Sequence, residues 1–312
     1  MVRSEFIFRS ADGKTPIHTV VWAPDVPPVG VVQLSHGVAE HIGRYEPLAR
    51  FLTDHGFAVA GHDHLGHGAS VLPGAPRLYF GPRGSWVWAA EDLRVCREHI
   101  RARFPGVPLI LLGHSMGSFL ARTDLIRCPG QVDGAVLMGT GHMTGPTLAA
   151  ARALADRELR RVGPTGVSDL VTRLAFGAYN RRFAPNRTGV DWISASTANV
   201  DAYLADPLCG GDPTVGLFCE MLWGIWFITR PANLHRMDPD VPVLFLSGAE
   251  DPVGDAGRGV RRAARAFRRA GVKSITLKLY PGMRHEILNE DGRDAVYRDL
   301  LCWLERRTGK ES

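Results

Sequence analysis

The pentapeptide Gly113-His114-Ser115-Met116-Gly117 is the part of this sequence whose residue types and spacing are most typical of covalent chemistry. The apolar run before it, residues 107–112, predicts a buried strand, and residues 118–126 after it predict a helix. A serine between two glycines at such a junction lies on a sharp turn that exposes its hydroxyl as a nucleophile. We therefore predict a strained backbone at Ser115. The flanking glycines are needed because a Cβ there would clash with the neighbouring strand and helix.

A serine hydroxyl is a weak nucleophile at neutral pH, so Ser115 needs a base, an acid that orients the base, and donors for an oxyanion. Where a serine occupies such a turn, the acid and then the histidine follow it along the chain. Asp251 comes just after a predicted strand at 241–247, and His285 comes just after another at 274–280. The carboxyl ends of parallel strands meet at one edge of a sheet. We therefore predict a catalytic triad of Ser115, Asp251 and His285.

Two further carboxylates, Glu250 and Asp255, lie close to Asp251 in the sequence. Asp251 is favoured as the acid because it lies at the usual distance past its strand. The oxyanion needs backbone donors near the nucleophile. We predict the N–H of Met116 and that of Val38, which lies in the loop after a short apolar strand.

Strands and helices alternate around these residues, which predicts a mainly parallel sheet covered by helices on both faces. Alternating apolar and polar residues on either side of Asp12-Gly13 predict a hairpin at the start of the chain. Ser85 is the predicted N-cap of the helix that follows it. The other predicted elements are strands at 29–34, 57–60 and 134–138 and helices around 45–52, 257–270 and 293–306.

The alternation stops between residues 142 and 235, where the pattern predicts no strand. We interpret residues 142–235 as a helical lid, inserted into a core formed by residues 1–141 and 236–312. Within the lid, residues 217–228 are almost entirely apolar and have aromatic residues at helical spacing. Such a helix could line a groove for an acyl chain, make transient contact with a membrane surface, or simply pack against the core.

Composition narrows the class of protein. The chain has 312 residues, of which 45% are hydrophobic and 22% charged, which is ordinary for a globular protein with a sizeable core. The net charge of +5 comes almost wholly from arginine. Because the arginines are spread along the chain, we expect no nucleic-acid partner. Five scattered cysteines and an N-terminus without an apolar signal-peptide block lead us to expect reduced thiols in a cytoplasmic protein.

Several stretches together resemble one family. They are residues 36–45 (HGVAEHIGRY), residues 61–70 (GHDHLGHGAS), the pentapeptide at 113–117 and Asp206-Pro207-Leu208. With the segments around Asp251 and His285, they resemble the monoacylglycerol lipase and lysophospholipase-like (serine aminopeptidase S33-type) branch of the α/β-hydrolases, over nearly the whole chain. The resemblance implies an α/β-hydrolase fold and a serine carboxylester hydrolase without a cofactor. It also implies a small-molecule lipid ester, such as a monoacylglycerol, as the substrate.

The resemblance also implies roles for individual residues. They are a triad of Ser115, Asp251 and His285, oxyanion donors at Val38 and Met116, and positions near the glycerol head-group pocket for Glu40, Arg44 and His114. Glu40 and Arg44 could instead pair with each other and fix their loop.

The sequence also departs from the family. Ser118 follows the pentapeptide where the family commonly has another glycine, and the lid is dissimilar outside residues 206–208. A lysophospholipase, a short-chain esterase or an amidase on the same core is therefore the alternative within the class. A non-catalytic binding protein with this fold is the alternative from another class. The serine disfavours relatives that use an aspartate nucleophile.

A competing interpretation rests on His62, His64 and His67, which have the spacing of metal ligands. They lack the aspartate that a metallohydrolase pattern requires directly before its last histidine. We expect these histidines to form hydrogen bonds within their loop and not to bind a metal.

Overall fold

The computed structural model of the chain describes residues 1–309, so the last three residues of the predicted core segment 236–312 lie outside the described part. An eight-stranded sheet forms its centre. The strands are β1 (Val2–Arg9), β2 (Pro16–Ala23), β3 (Gly30–Ser35), β4 (Phe57–His62), β5 (Leu109–His114), β6 (Gly134–Met138), β7 (Val243–Gly248) and β8 (Ile275–Tyr280). They lie in the order β1-β2-β4-β3-β5-β6-β7-β8.

The sheet is mainly parallel, as predicted. β1 pairs with β2 and β2 with β4 in antiparallel fashion, whereas the neighbours from β4 to β8 are parallel. The predicted hairpin is confirmed, and in its turn the Asp12 carboxylate accepts hydrogen bonds from the N–H groups of Lys14 and Thr15, each at 2.8 Å. β3 to β7 are buried along their whole length because helices cover both faces.

Helices pack on the two faces of the sheet and form two hydrophobic clusters, because alternate residues of a strand point to opposite faces. The helices are α1 (Glu46–Asp54), α2 (Trp86–Arg103), α3 (Met116–Arg127), α4 (Gly145–Val162), α5 (Asp169–Thr172), α6 (Ala178–Asn180), α7 (Thr197–Ala205), α8 (Val215–Thr229), α9 (Pro231–Leu234), α10 (Arg258–Arg269) and α11 (Arg293–Thr308), with 3-10 turns at Ile42–Tyr45, Arg181–Phe183 and Asp191–Ile193 and a π-helical turn at Arg173–Gly177. α2, α3, α8 and α10 cover one face, and α1 and α11 cover the other.

Between β6 and β7 the described chain has helices and turns but no strand, as the sequence predicts. The buried apolar cluster that belongs to this segment alone is small; it consists of Trp192, Ile193, Val200 and Tyr203. α8 lies differently, because its residues Leu217 and Ile228 are part of the large cluster on the sheet. No helix among residues 1–309 is both long enough and apolar enough to cross a bilayer.

Ser85 occupies the N-cap position of α2, as predicted, but its side chain does not act as the cap. α2 begins at Trp86, but the Ser85 side chain forms no capping hydrogen bond, and its buried Oγ has no partner among the described residues. Glu220 of α8 supplies the missing acceptor: its carboxylate binds the N–H of Gly84 at 2.9 Å and that of Trp86 at 2.6 Å. A carboxylate at a helix N-terminus is stabilising. The cap therefore comes from a residue that is distant in the sequence, which a local pattern does not reveal.

Candidate active site

Ser115 lies at the turn between β5 and α3, and its backbone has the predicted strain. Its φ is 52° and its ψ is −121°, a conformation that residues other than glycine rarely adopt. A Cβ on Gly113 would overlap the carbonyl of Gly117, and a Cβ on Gly117 would overlap the carbonyl of Ser35 at the end of β3. Both flanking glycines are therefore required by close approach of backbone, as the sequence predicts.

Asp251 and His285 are in contact. Asp251 follows β7 and His285 follows β8, and His285 Nδ1 donates a hydrogen bond of 3.0 Å to Asp251 Oδ1. The Asp251 carboxylate also accepts hydrogen bonds from the N–H of Val253 at 2.9 Å and from Ser247 Oγ at 3.2 Å. Burial favours the neutral form of Asp251, but the charge of His285 and its hydrogen bond outweigh this and lower the pKa of Asp251. In the neutral form of an imidazole, a proton on Nδ1 leaves Nε2 free to accept another.

The two neighbouring carboxylates do not make this contact. Asp255 binds Arg258 at 2.7 Å and Arg262 at 3.0 Å. Among the described residues, neither Asp255 nor Glu250 forms a hydrogen bond with His285. The geometry is therefore compatible with Asp251 as the orienting acid.

Ser115 and His285 line the same cavity, but among the described residues no hydrogen bond joins Ser115 Oγ to the His285 ring. The ring itself is held on several sides. Its centroid lies 4.7 Å from that of His114 and 5.1 Å from that of Trp192, and a Cβ on Gly139 would lie 3.0 Å from its Cε1. Catalytic hydrogen bonds of free enzymes are often long and tighten when substrate binds.

Two backbone N–H groups close to Ser115 in the structure have no partner among the described residues. The N–H groups of Val38 and Met116 make no hydrogen bond to any other described residue. Met116 is the first residue of α3, where the helix dipole favours negative charge. The loop that carries Val38 also touches the nucleophile, since a Cβ on Gly37 would lie 3.2 Å from Ser115 Cβ. The arrangement can bind an oxyanion next to the serine.

Glu40 is a buried acceptor for several groups around the site. Its Oε1 accepts hydrogen bonds from the N–H of Gly37 at 2.5 Å, Tyr45 Oη at 3.0 Å and His114 Nδ1 at 3.0 Å. Its Oε2 accepts one from Arg44 at 3.1 Å. Burial favours the neutral carboxyl, but His114 and Arg44 outweigh it and hold the pKa of Glu40 well below its usual range.

His114 faces two acceptors. Nδ1 donates to Glu40, and Nε2 lies 3.3 Å from the carbonyl oxygen of His285. Since a carboxylate and a carbonyl can only accept, both ring nitrogens carry protons in this geometry. Burial works against this charge, but Glu40 outweighs it and raises the pKa of His114.

Arg44 is bound by a residue that sequence reasoning missed. Its guanidinium donates two hydrogen bonds to Glu286, of 2.6 Å and 2.8 Å, and Glu286 also accepts one from Asn199 Nδ2 at 2.8 Å. The position of Glu286 directly after His285 was a signal that could have identified it. The structure thus pairs Arg44 with both Glu40 and Glu286, which agrees with the loop-fixing alternative. Glu40 and His114 also reach a cavity, whereas Arg44 does not line it.

Two cavities meet at Ser115. The larger, about 710 Å³, extends under α4 and α8 and has a mostly apolar wall that includes Leu154, Phe218, Met221, Leu222 and Ile225. The smaller, about 590 Å³, lies on the side of Glu40, His114 and Glu286. Phe176 and Trp192 line both; their rings are stacked with centroids 5.8 Å apart. One side of α8 therefore lines a cavity while other residues of the same helix pack on the core, as one of the predictions for this helix has it. Acyl-chain binding and membrane contact by this helix stay predictions.

The histidines with metal-ligand spacing are buried in their loop. Burial is the main cause that lowers the pKa of His62 and of His67 to about 3, so both rings are neutral. His64 interacts with Ser35 Oγ at 3.1 Å, but neither ring nitrogen of His62 has a partner among the described residues. The expectation of hydrogen bonds is therefore wrong for His62, which packs edge-on against Phe8.

In the described part of the chain, the group of side chains whose ligand atoms lie close enough to share an ion is a different one. It consists of His41, Asp206 and Cys209, with those atoms within 4.8 Å of one another. His41 Nε2 and Asp206 Oδ2 already form a hydrogen bond of 2.8 Å.

The chain is similar to a known family and to known proteins. Residues 26–292 match the model of a family described as serine aminopeptidase, S33. The chain belongs to this family. It is 30% identical to the monoacylglycerol lipase of Mycolicibacterium smegmatis, over 97% of this chain and 97% of the relative. It is also 30% identical to the monoglyceride lipase of Homo sapiens, over 92% of this chain and 86% of the relative.

The chain of this S33 family member is also similar to a solved structure, that of a thermostable carboxyl esterase from Bacillus coagulans in complex with glycerol. It matches with a TM-score of 0.91 and 26% identity, over 99% of each chain. The predicted α/β-hydrolase fold and the predicted likeness to the monoacylglycerol lipase branch are thus confirmed.

Proposed function

We propose that the protein is a serine carboxylester hydrolase that acts on monoacylglycerol-like lipid esters. One observation carries the proposal: a strained Ser115 lines the same cavity as His285, whose ring is hydrogen-bonded to the buried Asp251 at the same sheet edge. Relatives that match over most of their length are monoacylglycerol lipases, which supports this substrate class.

The residues can perform acyl transfer in two steps. Ser115 Oγ attacks the ester carbonyl carbon while His285 Nε2 takes its proton, and the N–H groups of Val38 and Met116 stabilise the oxyanion. The tetrahedral intermediate collapses, and the leaving alkoxide takes the proton from His285. Water then loses a proton to His285 and attacks the acyl-serine, and the second collapse returns that proton to Ser115. Asp251 keeps the imidazole in the required tautomer and stabilises its charged form.

The two cavities suit different halves of the ester. The apolar 710 Å³ cavity suits the acyl chain, because burial of methylene groups against apolar walls is favourable. The 590 Å³ cavity, with Glu40, His114 and Glu286 in its wall, suits a polar alcohol such as glycerol. The hydrogen bonds that hold Glu40 leave few of its lone pairs for a ligand. Both ring nitrogens of His114 are also occupied by hydrogen bonds. Glu40 and His114 therefore have little hydrogen-bonding capacity left for direct binding of the head group.

We also propose that residues 142–235 act as a lid over the core formed by residues 1–141 and 236–312. Large apolar side chains are exposed on this segment; they are Val167, Leu174, Leu204 and Leu208. Leu174 lines the larger cavity and Leu204 the smaller one. Exposed apolar residues at cavity mouths suit transient contact with a lipid surface that delivers the substrate to a cytoplasmic enzyme.

The test combines labelling and turnover. We expect a fluorophosphonate to label the wild-type protein at Ser115 and not the Ser115→Ala variant. That variant should lose at least about 10³-fold in ester turnover while its thermal melting temperature is unchanged. A panel of monoacylglycerols, lysophospholipids, short-chain esters and amides then defines the substrate. Preference for lysophospholipids or amides would replace the proposed substrate class, and a wild-type protein that neither labels nor turns over would favour a binding protein.

A further inference from the structure

The oxyanion loop is held in an unusual conformation one residue after Val38. Ala39 has a φ of 57°, in the left-handed region that residues other than glycine and asparagine rarely adopt. Ala39 is only 5% exposed, and its Cβ makes this conformation less favourable than it would be for glycine. A backbone conformation of this kind persists when the surrounding structure fixes it. The contacts that fix Ala39 therefore bear on where the Val38 N–H points.

Those contacts come from the lid. The carbonyl oxygen of Ala39 accepts a hydrogen bond from Tyr203 Oη at 3.0 Å and another from the N–H of Gly210 at 2.9 Å. Both donors lie at or just after the end of α7. A carbonyl oxygen has two lone pairs, so these two bonds complete its hydrogen bonding. Tyr203 is 9% exposed, which makes its hydrogen bond largely inaccessible to water.

Further contacts join the same two segments. His41 Nε2 lies 2.8 Å from Asp206 Oδ2, and the Arg44 guanidinium lies 5.0 Å above the centre of the Tyr203 ring. Asn199 of α7 accepts a hydrogen bond from Arg44 at 3.3 Å. Lid residues between Asn199 and Gly210 thus contact the chain at several positions after Val38. We call this set of contacts the lid latch.

We propose that the lid latch positions the Val38 N–H as an oxyanion donor by fixing the carbonyl of Ala39, so that docking of α7 and assembly of the oxyanion hole are one event. Tyr203 is thereby a positioning residue for the reaction, although it is part of the lid. The inference rests on the proposed function, because it concerns the same serine chemistry.

The two proposed oxyanion donors depend on the lid to different degrees. Met116 is fixed by α3 itself, so its N–H keeps its place whatever the lid does. Val38 lies outside any helix or strand, and its N–H has no partner within the described chain. If the lid releases Ala39, that residue can relax to a more common φ, which turns the Val38–Ala39 peptide and shifts Val38 together with its N–H. Loss of the latch should therefore weaken one of the two donors only.

The first test is Tyr203→Phe, which removes one hydrogen bond and keeps the ring over Arg44. We expect kcat to fall about 10-fold with little change in KM, since loss of a whole oxyanion donor typically costs 10²–10³-fold. The affinity for a trifluoromethyl ketone, which forms a tetrahedral adduct with serine, should fall in parallel with kcat/KM. The affinity for a non-hydrolysable ether analogue of a monoacylglycerol should stay the same.

The matched control is Tyr297→Phe. Tyr297 is also a buried tyrosine whose hydroxyl donates to a backbone carbonyl, that of Leu288 at 3.1 Å, but it lies on α11. It should reproduce any loss of stability without the loss of kcat. An unchanged kcat in Tyr203→Phe, or an equal loss of affinity for both inhibitors, would overturn the proposal.

A double-mutant cycle separates positioning from general damage. Glycine adopts the left-handed region freely, so Ala39→Gly needs the latch less. The effect of Tyr203→Phe on kcat should therefore be smaller in the Ala39→Gly background than in the wild type. Additive effects would contradict the inference. The proposed function fails separately, because in that case the wild-type protein itself would show no ester turnover and no labelling.

Discussion

The sheet and the inserted segment 142–235 hold their functional side chains by different means. In the sheet, strand pairing sets position: Ser35 pairs with Gly113, His114 with Met138, and Gly248 with Tyr280, so the carboxyl ends of these strands lie side by side. Ser115 follows such an end directly, and Asp251 and His285 follow the ends of β7 and β8 within a few residues. Their mutual arrangement is therefore a consequence of backbone hydrogen bonds that are buried within the core.

The inserted segment has no strand register, and its own apolar cluster is small. Polar contacts to the core fix it instead. Glu290 accepts hydrogen bonds from Ser194 Oγ at 2.8 Å, from the N–H of Ala195 at 3.0 Å and from the N–H of Ser196 at 3.1 Å. The hydrogen bonds of Glu220 to the start of α2 and the lid latch join the segment to the core at two other positions. Changes in the core should therefore affect the triad chemistry or global stability directly, whereas changes in the segment should act on substrate choice, on docking and, through the lid latch, on the oxyanion hole.

The largest effect is expected at the core pair. In Asp251→Asn the side chain can donate to His285 and favour the wrong tautomer, so kcat should fall by about 10⁴-fold. Steady-state kinetics at pH 7.5 with a soluble aryl ester measures this. Glu250→Gln is the control, because Glu250 is the adjacent carboxylate in the sequence and forms no hydrogen bond with His285 in the described structure. A comparable loss of kcat in both variants would show that the orienting role does not belong to Asp251 specifically.

A buried carboxyl in the core should make stability depend on pH. Asp92 is fully buried and accepts hydrogen bonds from Ser10 Oγ at 2.8 Å and from the N–H of Ala11 at 2.7 Å. Burial is the main cause that raises the pKa of Asp92 from 3.8 to about 6. The folded state therefore binds this proton more tightly than the unfolded state, and stability falls as pH rises from about 4 to about 6.

The difference of about two pKa units corresponds to roughly 3 kcal/mol. Asp92→Asn cannot ionise, so its stability relative to the wild type should rise by up to that amount between pH 4 and pH 7. Urea unfolding of both proteins at several pH values measures the difference. A difference that does not vary with pH would mean that Asp92 titrates normally in the folded protein.

We expect the contacts between the inserted segment and the core to contribute less to the free energy of unfolding than the contacts within either part. Glu220→Ala removes the acceptor for the N–H groups of Gly84 and Trp86 and leaves them unsatisfied, at a cost of about 1–3 kcal/mol. Ser85→Ala is the matched control, because its hydroxyl caps nothing, and we expect it to change stability by less than about 0.5 kcal/mol. Chemical denaturation compares the two. If Ser85→Ala proved the more damaging, the cap would belong to Ser85 after all.

The same contrast explains what the sequence could predict. Strand ends, the glycines around Ser115 and the order of Asp251 and His285 are local patterns, so the fold and the positions of these residues followed from the chain alone. The partners of the segment did not. Glu220 caps a helix more than a hundred residues away, and Tyr203 binds the carbonyl of Ala39. Such contacts depend on how helices without strand register settle on the core, and no local pattern encodes that.

The smallest effect concerns substrate choice by the segment. Ala151 lines the 710 Å³ cavity, so Ala151→Phe should shorten the space for an acyl chain. Turnover of long-chain esters should fall about 10-fold, while that of short-chain esters should stay unchanged, since lost apolar contacts of one or two methylenes have this magnitude. Ala153→Phe is the control, because Ala153 is exposed on the same helix. If both variants keep the wild-type chain-length profile, the acyl chain lies in the 590 Å³ cavity instead.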